Sequence, residues 1–410
     1  MGWVLLYFGG MDIRSVTFFC EPDYGDLSHV GAFLAKARET FHVPVQTTRL
    51  ALPPFPDWWD RDRATAENLA AQWQEVGFDY ISLGPVQLRH DATWLERLPE
   101  IIGTADVLFA GAEIADLSGQ IDVGRCLAVA NLIQEASKLY DNGFGNLYLA
   151  ALANCSPGAP FFPVAFHRGG DPHFAIAVES ADLAVTAVKS ASSLAEARRN
   201  LVEAIEAEAG KVSAAADELS AAFGFPFSGI DFSLAPFPEA DKSLAGAMEG
   251  LGLSNVGGAG SLFAAAFITE AIDRADFPRC GFSGLMLPVL EDSVLAARAA
   301  EGQLSISDLL SYAAVCGVGL DTIPLPGDIS RETLAGILLD VAALAVRLDK
   351  PLTARLMPMP GLAAGDPIHF DFPYFADSRV IAASGAGVTG MLRQLERLEI
   401  RPRRFDPLPE

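Results

Sequence analysis

Residues 282–328 constrain the fold of this chain more than any other stretch. An apolar run, 284–290, stops abruptly at the carboxylate pair Glu291 and Asp292. A helical stretch and a turn follow. A second apolar run, 312–320, then stops at Asp321, with Asp328 just beyond the next turn. Short apolar runs bounded by turn residues fit strands buried on both faces, as in parallel α/β sheets. Acids at the ends of such strands lie where α/β folds keep their ligand sites.

The same alternation runs through the chain. Residues 12–19, 43–50, 80–83 and 107–110 read as strands, with helices at 26–40, 64–76 and 94–102 between them. Helical spacing returns at 121–139, 194–223, 244–251, 262–274 and 333–348. Strands are expected at 147–153, at 229–234 with Asp231, and at 352–357 with Arg355. Residues 384–398 read as a helix entered through Gly385 and Gly387. No repeat or composition break divides the chain. One α/β unit over 11–410 is expected, with 11–140 as its N-terminal subregion. Residues 1–10 read as a disordered leader or an over-called start.

Composition narrows the function. Half of the residues are hydrophobic and 20% are charged, enough apolar material for a large core. A formal net charge of −23, from 29 Lys+Arg against 52 Asp+Glu, repels phosphate backbones and anionic lipids. Nucleic acid and membrane are therefore not expected partners; a small-molecule ligand is. No apolar run reaches the roughly 18 residues of a membrane span. Five scattered cysteines without CxxC pairing suit a reducing cytoplasm. The large apolar fraction is the basis for expecting a homo-oligomer.

Several residues could carry chemistry. Asp231, Glu291, Asp292, Asp321 and Asp328 all fall in or near strand ends; converging carboxylates can bind a divalent cation or divide into acid and base. Taken singly, each is better read as a cap or turn residue, with Asp292 placed to cap the helix that follows. His167, after the aromatic stretch PFFPVAF, is a candidate proton shuttle. His369 reads as a histidine satisfied by the backbone, and Cys316 as a buried, inert thiol. Gly258 and Gly260 open a helix whose free N–H groups could hold an anion, although close backbone packing explains them equally well. Arg355 is sharper. A guanidinium in a buried strand must find a core acid or a ligand anion.

Read together, FSGLMLPVLED (282–292), CGVGLDTIPLPGD (316–328), SGIDFSLAP (228–236), TARLMPMPG (353–361), PFFPVAFH (160–167) and DIRSVTFF (12–19) resemble the DUF711 (UPF0210) proteins of bacteria and archaea. That family is uncharacterised and is grouped with the pyruvate-formate-lyase-like, glycyl radical enzyme fold. The resemblance implies a β/α barrel of about ten strands with a loop entering it, where the acids and Arg355 would converge. It does not extend to a glycyl radical: RVIAASGAG (379–387) lacks the tyrosine of the RVxGY element.

The leading expectation is a cytoplasmic enzyme acting on a small anionic metabolite by acid/base or divalent-metal-assisted chemistry. Asp231, Glu291 and Asp321 would form the catalytic or metal set, with His167 as shuttle. Arg355, Asp328, Asp292, Gly258 and Gly260 would hold the ligand. The alternative is a non-catalytic small-ligand binder on a degenerate barrel.

Overall fold

The computed structural model describes residues 11–59, 63–385 and 387–403. The expected leader, 1–10, lies outside the described residues. The opening alternation forms β1 (Asp12–Phe19), α1 (Leu27–Thr40), β2 (Val45–Ala51), α2 (Arg63–Val76), β3 (Tyr80–Val86), α3 (Thr93–Ile102), β4 (Leu108–Ala115), the short β5 (Gln120–Asp122), α4 (Val123–Ala136) and β6 (Leu149–Ala153). Here β1, β2, β3, β4 and β6 pair in parallel, in that order.

The second half supplies β7 (His173–Glu179), α5 (Ala181–Lys189), α6 (Leu194–Phe223), β8 (Phe227–Ala235), α7 (Leu244–Gly250), α8 (Ser261–Arg274), α9 (Ser293–Ala300), α10 (Ile306–Val315), β9 (Gly319–Pro326), α11 (Arg331–Leu348) and β10 (Leu352–Met359). β7 is parallel to β8 and β9 to β10. Both pairs join the first half antiparallel, β7 against β1 and β10 against β6. The resulting order is β8-β7-β1-β2-β3-β4-β6-β10-β9. β4 and β10 are buried along their whole length, as strands covered on both faces should be.

The expected strand at 284–290 takes an irregular form. Residues 279–288 run beside both edge strands through single parallel bridges, Ile230 with Arg279, Leu234 with Leu285, and Pro288 with Asp321. Pro288 has no N–H to give a ladder. Gly284 lies so close to Gly317 that a Cβ would sit 2.5 Å from its Cα. The nine strands themselves hydrogen-bond as an open path, with this segment spanning from one edge to the other.

Two further expectations are corrected. The second apolar run serves two elements: Ser305 and Asp308 form a capping box that starts α10, which takes the run as far as Val315. β9 begins only at Gly319, so Asp321 lies near its start and not at its end. The helix expected at 384–398 does not form among the described residues. Gly385, Gly387 and Gly390 all take positive φ, which an α-helix does not accommodate. After β11 (Pro367–Ile368) and β12 (Ser378–Arg379), the chain makes a short turn and ends in β13 (Arg397–Glu399), antiparallel to β5. No helix of the described residues is long and apolar enough to cross a membrane.

Buried carboxylates fix several joints. Asp292 caps α9 through the N–H groups of Val294 and Leu295, and also accepts from Ser243 Oγ and the N–H groups of Leu244 and Ala245 at the start of α7. One carboxylate thus caps two helices. Replacing Asp292 by Ala should cost roughly 2–4 kcal/mol in chemical denaturation, whereas the exposed Asp328→Ala should stay within about 0.5 kcal/mol. Equal midpoints for the two variants would refute the double cap.

Glu113 on β4 accepts from the Leu88 N–H at 2.7 Å, and burial pushes its carboxyl up to about 7. The unfolded chain ionises this group first as pH rises, so its contribution to stability is present below about pH 4.5 and is lost towards pH 7. Melting curves of Glu113→Gln against the parent should therefore diverge in the variant's favour over that window, by up to roughly 3 kcal/mol. A difference independent of pH would contradict the assignment.

Candidate functional site

The buried guanidinium of Arg355, the half-buried ones of Arg14 and Arg49, and two carboxylates meet where β1, β2, β9, β10 and the end of the 279–288 segment come together. Arg355 on β10 forks onto Asp321 of β9, Nε to Oδ1 at 2.6 Å and Nη2 to Oδ2 at 3.0 Å. The same Nη2 reaches Glu291 Oε1 at 2.9 Å, and Arg14 of β1 donates to Glu291 Oε2 at 2.6 Å. A register shift between Ala354 and Leu356, opposite Thr322, accompanies this arrangement. Thr322 takes a φ of 45°, rare for a β-branched residue, and its hydroxyl accepts from the Leu290 N–H beside Glu291.

The alternation of charge continues inward. Glu179 of β7 lies 4.0 Å from Arg14 and 3.5 Å from Lys242, which is 3.8 Å from Asp12. Burial raises Glu291, but Arg14 and then Arg355 outweigh it and hold its carboxyl below the usual range. Burial wins at Asp321, against the pull of Arg355, and leaves it raised.

Arg14, Glu291 and Arg355 open onto a small, partly open cavity of about 70 Å³, where Arg49 of β2 joins them. Arg49 donates from Nε to Thr47 Oγ1 at 2.9 Å, and its guanidinium lies 5.6 Å from the Tyr80 ring centre and 5.2 Å from that of Phe162. It makes no ion pair among the described residues. Burial, and next the charge of Arg14, push it down to about 10, so it stays protonated at neutral pH. Tyr80 and Tyr374 also line the cavity; burial raises both phenols, Tyr80 to about 12, so they remain hydrogen-bond donors.

Of the residues expected at a site, Glu291, Asp321 and Arg355 come together and the others do not join them. Asp231 accepts from Ser233 and from the Phe282 and Ser283 N–H groups, tying the irregular segment to β8. Asp292 is the double cap, and Asp328 is exposed. His167 is buried with Nε2 3.4 Å from the Gly170 carbonyl, and burial lowers its pKa; it does not line the cavity. Gly258 and Gly260 shape the turn before α8, where Ser261 Oγ donates to the Gly258 carbonyl. The residues missed, Arg14 and Arg49, carried the same signal as Arg355, a lone arginine in an apolar or β-branched strand.

A divalent cation does not fit the residues expected to bind it. Asp231 has other partners, and Glu291 and Asp321 are taken by guanidiniums; among the described residues no group of three His, Cys, Asp or Glu side chains is placed to hold a metal. All five cysteines are free and none lines the cavity.

Comparison with known proteins places the chain in a family. The family model described as "Uncharacterised ACR (DUF711)" matches residues 10–371. A UPF0210 protein of Pyrobaculum arsenaticum is 38% identical over 403 residues, covering 88% of each chain. A UPF0210 protein of Pyrobaculum aerophilum is 41% identical over 228 residues, 53% of this chain and 50% of that protein. One from Clostridium perfringens is 30% identical over 382 residues, 87% and 84% of the two chains. The chain belongs to the DUF711 (UPF0210) family.

Proposed function

We propose that the protein is an enzyme acting on a small anionic metabolite by acid–base chemistry, without a glycyl radical. The observation that carries this reading is Arg49, a cationic group in a cavity with no carboxylate of its own. A half-buried cation without a counter-ion among the described residues favours an incoming anion, which adds charge-assisted hydrogen bonds. Glu291, kept ionised by Arg14 and Arg355, serves as the base; each of its oxygens takes one guanidinium hydrogen and keeps a second lone pair. Asp321 orients Arg355 from behind. Tyr80 and Tyr374 supply neutral O–H donors to a developing oxyanion.

The same reading takes the fold as a ten-strand barrel of the radical-enzyme type, with residues 279–288 as the tenth member between β8 and β9. Two parallel sets of five, antiparallel at both seams, support it. A non-catalytic binder is the second reading, favoured by the fact that both Glu291 oxygens are already engaged.

Incubation with a mixture of small carboxylic acids in D2O, followed by mass spectrometry, separates the two. The enzyme reading expects deuterium uptake into at least one acid, reduced about 100-fold or more by Glu291→Gln with binding retained. Binding without uptake in the parent chain would leave only the binder.

A further inference from the structure

We infer that the cavity selects a monoanionic carboxylate carried on a flat apolar body, an aromatic or conjugated acid, with its carboxylate forked on Arg49. The inference rests on the anion-site reading above and narrows it. Two independent observations carry it.

The first is the pairing of the charges. Arg14 and Arg355 face Glu291, Asp321 and Glu179. Arg49 is the guanidinium of the group without an ion pair among the described residues, and one unpaired cation suits one negative charge. A second charge on the ligand would meet Glu291, which already forms part of the wall. The anchoring of Arg49 Nε on Thr47 leaves the two Nη groups for a planar carboxylate, the geometry in which a guanidinium binds best.

The second is the wall itself. Of the thirteen side chains lining the cavity, six are aromatic and Leu147 is a seventh apolar one, far more than an anion alone requires. The rings of Tyr80, Phe109 and Phe162 touch in sequence, with centres 5.2 and 5.4 Å apart, and form a continuous surface that begins beside the Arg49 guanidinium. Phe372 and Tyr374, 5.3 Å apart, add two more rings from the connection between β11 and β12. Phosphate or acetate would satisfy Arg49 without covering the rings of Tyr80, Phe109 and Phe162; a ring or conjugated chain would cover them.

The full chain is titrated calorimetrically at matched ionic strength with benzoate, acetate, phthalate and inorganic phosphate. Benzoate should bind at least about tenfold more tightly than acetate, and more tightly than either multivalent anion. Phe372→Ala, on the half-buried connection between β11 and β12, should weaken benzoate by about tenfold and leave acetate unchanged. Arg49→Gln should abolish binding of both, with Arg49→Lys retaining a weak response; far-UV circular dichroism separates loss of the site from loss of the fold. Benzoate no better than acetate, or a multivalent anion binding more tightly, overturns the selectivity while leaving the anion site standing. No response to any of the four anions overturns the anion site as well.

Discussion

The Glu291 carboxylate, shared between Arg14 and Arg355, is the contact on which the rest of the structure depends. Its three members come from β1, from β10 and from the irregular segment that runs beside both edge strands. A buried ion is tolerated only when its partners are in place, and removing one partner strands the others. The network therefore ties together, by one set of charges, elements far apart in sequence. Asp321 and Glu179 extend it at either end, so that its positive and negative groups alternate from strand to strand. Such networks add little net stability over an apolar core, and their retention is better understood as specifying one arrangement of strands around a cavity.

Arg49 is the exception that gives the network a chemical purpose. Every other arginine of the group is matched to a carboxylate. Arg49 is held by a hydroxyl and two rings, a setting that fixes a guanidinium without neutralising it. The matched pairs set the geometry and the unmatched cation sets the demand for a ligand. Burial of the two phenols, which keeps them protonated, places neutral donors against the same space.

Much of this was legible in the sequence, for physical reasons that also explain what was not. Apolar runs with turn residues at their ends marked the parallel strands, and a lone arginine in TARLM had to find an anion. It found Asp321 and Glu291. The same logic applied to Arg14 in DIRSV and Arg49 in TTRLA, where polar and β-branched neighbours replace a purely apolar run and the arginines end half-buried. The carboxylates misled in the opposite sense. Asp231 lies within β8 and Asp292 follows the irregular segment beside Glu291, yet backbone N–H groups claim both, and pairing of that kind depends on which chain segments arrive nearby. His167 is isolated for the same reason. At the C-terminus, periodic apolar residues suggested a helix, and three left-handed glycines prevent it.

The most direct test of the unmatched cation is a crystal structure of the native chain soaked in bromide, read by anomalous scattering. A peak against the Arg49 guanidinium, with none beside Arg14 or Arg355, is the expected result. Bromide at the two matched arginines, or a carboxylate of the chain itself seated on Arg49, would contradict it.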